Sequence, residues 1–261
     1  MAENYHTPGK HEGKIAIITG STQGLGFEAA KRLCKDGAFV VISSRKQKNV
    51  DAALKQMHDE GLDNCSGMVC HVSDAEQRKA LVKSTVERHG RIDYLVNNVA
   101  VNPCEDKKIL ETTEEAFDKI MNVNVKAGFL MTKEVAPHMN KERGGAIVFM
   151  SSVCGLIPEG WPGIYAVSKT AVLGLTKALS YELCHDNIRV NSVAAGIFPT
   201  KFGSSITENP FLRKLMLSRI AQKRFGDLRE CASVVSFLLS EDASYITGEN
   251  IPVTGGLPTR L

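Results

Sequence analysis

The chain has 261 residues, 43% hydrophobic and 23% charged, close to ordinary globular usage; disorder, collagen and coiled coil are excluded as the main architecture. No uninterrupted apolar run reaches the length of a membrane span. The formal charge of +3 is too small to argue for a nucleic-acid partner.

The elements read in chain order as alternating strands and helices. A strand over Lys14–Thr19 leads through a Gly-rich turn into a helix over Gly24–Asp36. A second strand, Ala38–Ser43, precedes helical text over Gln47–Glu60, and Gly67–His71 is a weak third strand. Ala75–His89 is helical, and Ile92–Asn97 is a fourth strand. Glu114–Met139 predicts one long helix, with Pro137 marking a bend or end. Ala146–Ser151 is a fifth strand, Ile164–Cys184 a helix with Val172, Leu175, Leu179 and Leu183 on one face, and Ile188–Ala194 a sixth strand. Glu230–Leu239 is helical, and Asn250–Val253 is a short last strand. Such alternation implies βαβ units and a parallel sheet covered on both faces, an α/β fold in one domain. Segment 196–226 is irregular apart from one helix around Phe211–Ile220, and long irregular insertions are usually lids or binding loops.

Seven cysteines are scattered without a CxxC pair, which argues against a zinc ribbon, a redox dithiol or a disulfide framework and for a reducing compartment. The segment Met1–Lys14 lacks an apolar core, so no secretory signal is expected. His71 beside Cys70 invites a metal reading, but no other ligand stands at a matching spacing, and no metal is expected.

Three patches carry chemistry. Gly20, Gly24 and Gly26 follow a strand and open a helix, the context of a phosphate-binding turn. Glycines there let backbone N–H groups approach a pyrophosphate; a plain Gly-rich turn is the bland alternative. After the second strand, a carboxylate would accept a ribose 2′-OH. The chain has Ser43-Ser44-Arg45-Lys46 instead, and a guanidinium fork suits a 2′-phosphate, so NADPH is favoured over NADH. Finally, Tyr165 and Lys169 share a helical face. A free tyrosine has a pKa of about 10, too high for proton exchange at neutral pH, and a neighbouring ammonium favours the phenolate. Ser152, just past a strand end, has a hydroxyl that could polarise a carbonyl, with Ser151 competing for that role.

The ordered set of Thr19, Gly20, Gly24, Gly26, Asn97, Asn98, Asn124, Ser152, Tyr165 and Lys169 resembles the short-chain dehydrogenase/reductase family over nearly the whole chain. The resemblance implies a doubly wound, seven-stranded parallel Rossmann-type sheet. It implies Tyr165 as proton donor, Ser152 as the group that polarises the carbonyl, Lys169 on the nicotinamide ribose and Asn124 behind a water relay. The cofactor contacts it carries over are Gly20, Ser21, Gly24, Leu25 and Gly26 at the turn, then Ser44, Arg45 and Lys46. His71, Val72, Asn97, Tyr165, Lys169, Gly196, Phe198 and Thr200 complete them. Beside Ser152 and Tyr165, the apolar Ile157, Trp161, Phe198 and Phe202 are candidates to line a substrate pocket, while the Gly-Trp-Pro-Gly stretch around Trp161 reads equally as a packed surface turn.

A narrower resemblance, to NADPH-dependent carbonyl reductases of the family, rests on Ser43–Gln47, Ala100–Pro103, Ser168–Ala171 and Ser240–Glu249. It implies reduction of α-dicarbonyls, aromatic ketones, retinal and 3-ketosteroids, and a homotetramer. The alternatives are an oxidising retinol or hydroxysteroid dehydrogenase and a nucleotide-binding module without catalysis. Some positions depart from the family pattern. Asn97-Asn98-Val99-Ala100 lacks the usual final Gly, Ala195-Gly196 lacks the usual Pro, which should loosen the start of the following loop, and His71 replaces an Asp near the adenine. Thr259-Arg260-Leu261 resembles a peroxisomal address, so a peroxisomal location is expected, with the cytoplasm as alternative.

Overall fold

The computed structural model describes residues 9–103, 108–139, 142, 144–158 and 162–259. Trp161, Arg260 and Leu261, named above for the substrate pocket and the targeting tail, lie outside them. The first half runs β1 (Ile15–Ile18), α1 (Gly24–Lys35), β2 (Phe39–Ser44), α2 (Gln47–Asp59), β3 (Cys65–Val69), α3 (Ala75–His89) and β4 (Tyr94–Asn97). Then follow α4 (Glu114–Met121), α5 (Ala127–Val135), β5 (Gly145–Ser152), the one-turn α6 (Val153–Leu156), α7 (Ile164–Leu183) and β6 (Ile188–Ala195). Next come α8 (Ser204–Thr207), α9 (Pro210–Arg219), α10 (Leu228–Leu239) and β7 (Asn250–Val253).

The strands form one seven-stranded sheet in the order β3-β2-β1-β4-β5-β6-β7. Every neighbouring pair is parallel, so each connection crosses over the sheet, mostly through helices. The order reverses between β1 and β4, which opens a crevice at the carboxyl ends of the strands. Alternate residues of each strand serve the two faces. Ala16, Ile18, Val40 and Ile42 pack with Leu33 of α1, Met57 of α2 and Val235 of α10. Ile17, Val41, Leu95 and Ile147 pack with Leu81 of α3, Met131 of α5 and Leu179 of α7. Both faces being buried, the strands read as continuous apolar runs.

Two details of the elements differ from expectation. β3 starts at Cys65 because Val40 pairs with Cys65 and donates to the Asn64 carbonyl (3.0 Å). The helix expected over Glu114–Met139 is present, with a π-turn, Asn122–Lys126, between α4 and α5, and it closes, as expected, at Pro137 in a 3-10 turn, Ala136–His138. Ala195 pairs with Ser152 and Val253, and Gly196 N–H donates to Val253 (2.9 Å), so the ladder runs to the loop itself. Segment 196–226 then folds into a 3-10 turn, Lys201–Gly203, followed by α8 and α9. No helix among the described residues is long and apolar enough to cross a membrane.

Candidate active site

A cleft of about 760 Å³ lies over the strand ends at the β1/β4 reversal. Gly20, Gly24 and Leu25 line it, and Gly20 and Gly24 adopt φ of 61° and 63°, the left-handed region that favours glycine. A Cβ on Gly20 would stand 2.8 Å from Val99 Cγ2. Helix α1 starts without a side-chain cap on Gln23 and without an acidic residue in its first turn. Its first backbone N–H groups therefore have no side-chain acceptor, and the helix end keeps its partial positive charge. Contrast α3, where Asp74 accepts from the N–H groups of Glu76 and Gln77. An uncapped helix start behind a glycine turn fits the pyrophosphate of a dinucleotide.

Ser21 and Gly26 support this turn from behind and do not line the cleft. Ser21 is fully buried; its hydroxyl donates to Ile18 O (2.6 Å) and accepts from Ser43 N–H (3.0 Å). Gly26 has no room for a Cβ beside the Asn98 side chain. That side chain donates to the carbonyls of Thr19 (3.1 Å) and Gly20 (2.9 Å) and braces the turn. Asn98, rather than its neighbour Asn97, faces the cleft; Asn97 is turned inward and donates to Thr132 Oγ1 (3.2 Å). The doubled Asn97-Asn98 was the only sequence signal for this brace.

Ser44, Arg45 and Lys46 line the cleft at the end of β2, with Lys48 beside them. Lys46 caps α2 without a side-chain hydrogen bond. No Asp or Glu lines the cleft among the described residues. His71 and Val72 line it after β3, and His71 Nδ1 accepts from Ser73 N–H (3.3 Å). Gly196, Phe198 and Thr200 line it after β6.

Tyr165 and Lys169 project from the first turns of α7, beside the end of β5. The Lys169 ammonium lies 5.6 Å from the Tyr165 ring centre and donates to the Met150 carbonyl (2.7 Å). Burial pushes its pKa down to about 8, with the neighbouring Cys154 opposing. Ser152 lines the cleft, and its hydroxyl accepts from Cys154 N–H (3.2 Å), capping α6. Ser151, the competing hydroxyl, donates to the Lys169 carbonyl (3.1 Å). The Phe202 ring stands 5.5 Å from the Tyr165 ring, and Phe198 and Ile206 add apolar wall. Ile157 is not among the lining residues.

Asn124 does not line the cleft either; it sits in the π-turn. Its Oδ1 accepts from Val101 N–H (2.8 Å), and its Nδ2 donates to Val101 O (3.0 Å) and Ser168 Oγ (3.0 Å). Ser168 in turn donates to the Tyr165 carbonyl (2.7 Å). Asn124 thus ties a cleft-lining loop to the helical turn that carries Tyr165. The arrangement offers a phenol, a serine hydroxyl and a buried ammonium to the cleft that the glycine turn also lines. Such a set can donate a proton to a carbonyl oxygen and stabilise the charge that develops there.

Comparison with known proteins agrees. A family model described as enoyl-(acyl carrier protein) reductase matches residues 20–258. A protein named dehydrogenase/reductase SDR family member 4, from Oryctolagus cuniculus, is 50% identical over 95% of each chain. Tropinone reductase-like 3 from Erythroxylum coca is 48% identical over 97% of this chain and 96% of its own. The crystal structure of levodione reductase superposes with a TM-score of 0.88 at 31% identity, covering 94% of this chain and 97% of that one. The chain belongs to the short-chain dehydrogenase/reductase family, oxidoreductases that use a nicotinamide dinucleotide.

Proposed function

We propose that the chain is an NADPH-dependent carbonyl reductase. It converts α-dicarbonyls and aromatic ketones to alcohols, with retinal and 3-ketosteroids in the same class. One observation carries the reading: Ser152, Tyr165 and Lys169 line a cleft that also presents Arg45 and Lys46 and, among the described residues, no carboxylate. Bound NADPH supplies the hydride. The chain's own residues do the rest. Ser152 donates to the substrate carbonyl oxygen, and Tyr165 passes its proton to that oxygen as negative charge builds. Lys169 holds positive charge beside the phenol and favours the phenolate left behind. Phe198 and Phe202 offer apolar wall to bulky or aromatic substituents. Arg45 and Lys46 hold the 2′-phosphate that NADH lacks. The three relatives above carry the word reductase in their names, one of them as reductase-like and one as dehydrogenase/reductase.

The test follows NADPH oxidation with an aromatic dicarbonyl. Turnover is expected to favour NADPH over NADH and to fall about 10²–10⁴-fold in Tyr165→Phe. Arg45→Ala is expected to raise the KM for NADPH about 10-fold or more while leaving that for NADH in place. Equal use of both cofactors by the parent chain would remove the assigned role of Arg45. Unchanged turnover in Tyr165→Phe would remove the mechanism.

The same reading carries a homotetramer. Phe117 on α4, Phe129 on α5 and Phe237 on α10 are each more than a third exposed, as surfaces covered by another copy would be. Sedimentation equilibrium reads the state. Where Thr259-Arg260-Leu261 forms the carboxyl terminus, it would direct the enzyme to peroxisomes. A fluorescent fusion ending in that tripeptide, diffuse in cells, would count against it.

A further inference from the structure

Phe202 lines the cleft yet is 48% exposed, so it stands at the rim, with its ring beside that of Tyr165. From there the chain runs into α8, whose Ile206 also lines the cleft, and α8 packs against α9. Phe211 and Leu215 of α9 are 74% and 42% exposed. At the start of α7, next to the cleft-lining Pro162, a Cβ on Gly163 would lie 3.7 Å from Ile109, and Ile109 and Leu110 are exposed as well. None of these residues stands on α4, α5 or α10, the helices given above to contacts between copies. Exposed apolar groups gathered around one opening mark an interaction surface.

The side of α9 that carries Phe211 and Leu215 has a definite order. With 3.6 residues per turn, five exposed positions follow one another as Lys214, Ser218, Phe211, Leu215 and Arg219 within about 140° of the circumference. The apolar pair is thus flanked by a cation on each side, while Leu212, Met216 and Leu217 are half-buried. Arg213, exposed on another side, lies over the Phe225 ring (5.1 Å). The surrounding segment is strongly basic. Residues 201–224 include Lys201, Arg213, Lys214, Arg219, Lys223 and Arg224 against a single acid, Glu208. Arg224 is taken up by Glu230 (2.6 and 2.7 Å). The other five cations, set against Glu208, exceed the formal +3 of the whole chain. The positive charge of the molecule is therefore concentrated where its apolar side chains are exposed.

We propose that α9 and the neighbouring rim of the cleft dock on an anionic lipid surface. Phe211 and Leu215 enter the boundary between headgroups and acyl chains, and Lys201 and Lys214 meet the lipid phosphates. Apolar side chains between cations on one helical side are the pattern of an interfacial helix, in which long basic side chains lay their stems on apolar surface and reach outward to the headgroups. A nucleic acid would satisfy the cations but offers no apolar layer to Leu215, so lipid is the partner that the whole surface fits. Docked in this way, the rim that carries Phe202 lies close to the bilayer. A lipophilic carbonyl compound dissolved there reaches the apolar wall of Phe198, Phe202 and Ile206 without crossing water. The docking itself does not depend on which cofactor the cleft takes.

The full chain is mixed with vesicles of phosphatidylcholine alone and with vesicles holding about 30% phosphatidylserine, and each mixture is floated on a density gradient. The chain is expected to float with the anionic vesicles at about 0.1 M salt and to be released at about 1 M, where surface charge is screened. Phe211→Glu combined with Leu215→Glu is expected to lower the bound fraction about 10-fold or more. Both positions are exposed, and a urea midpoint equal to the parent's shows that the double variant is folded. Lys214→Glu, which alters one exposed charge, is expected to weaken binding to the anionic vesicles several-fold, and it serves should the double variant not fold. Equal flotation with both kinds of vesicle, or with neither, overturns the proposal. So does a folded double variant, or a Lys214→Glu chain, that binds as the parent does. Retention of the chain by single-stranded RNA without any vesicle binding would give the basic segment to a nucleic acid instead.

Discussion

Ser151 and Ser152 end β5 side by side with the same hydroxyl, and their neighbours divide the work. Both line the cleft, but the Ser151 hydroxyl donates to the Lys169 carbonyl, while the Ser152 hydroxyl takes one N–H from Cys154 and keeps its own proton to give. Each loses one hydrogen bond on truncation, so Ser151→Ala and Ser152→Ala are both expected to cost about 1 kcal/mol of stability. Activity separates them. Ser152→Ala is expected to lower kcat about 10²–10³-fold, as loss of an oxyanion donor does, and Ser151→Ala only a few-fold. Steady-state kinetics beside urea unfolding of both variants reads the contrast; the reverse order would exchange their roles. This split was invisible in the sequence because both serines close the same strand, and the partner that claims Ser151 lies on α7. The Asn97-Asn98 pair was ambiguous for the same reason: which amide turns inward depends on Thr132, far along the chain. By contrast, Tyr165 and Lys169 were legible, since helical spacing alone puts them on one face.

Among the elements, strands and helices were legible wherever an apolar run or a helical stripe stood between turn residues, from β1 through β7. The π-turn inside the expected long helix was not. No proline or glycine stands at Asn122–Lys126; the π-turn coincides with the place where the Asn124 amide leaves its helix to bond Val101 and Ser168. Such a non-local bond leaves no periodic trace. Asn124→Ala removes these three bonds and strands the Val101 N–H and carbonyl, a cost of about 2 kcal/mol. The variant is therefore expected to shift the urea midpoint downward. Its kcat is also expected to fall, because Val101 lines the cleft and Ser168 braces the turn of Tyr165. A variant with unaltered stability and lower kcat would instead give Asn124 a role in the chemistry alone.

Taken as a whole, the sheet separates its tasks by end. The carboxyl ends of the strands carry the cleft, and the amino ends carry a buried polar brace that joins the start of the chain to α1 and α10. His11 is fully buried there. Its N–H donates to Asp36 O (2.7 Å), its Nδ1 lies 3.2 Å from the Tyr94 hydroxyl, and its Nε2 lies 3.0 Å from Ser236 Oγ. Since Ser236 donates to Asp36 Oδ2 (2.8 Å), it accepts from His11, which assigns the ring proton to Nε2. Burial pushes the His11 pKa from 6.5 down to about 4; Asp36 opposes the shift, and Lys10 adds to it. The folded chain thus keeps His11 neutral where the unfolded chain protonates it. Stability from this group is complete above the unfolded value, declines as the pH falls from about 6.5 to about 4, and changes no further below. The full loss is about 3 kcal/mol. Urea unfolding at about pH 7 and about pH 4.5 reads it. The parent chain is expected to lose more stability across that interval than His11→Asn, whose side chain cannot titrate. Equal losses in the two chains would show that His11 already carries its proton in the fold, and that the brace depends on Asp36 as a counter-charge.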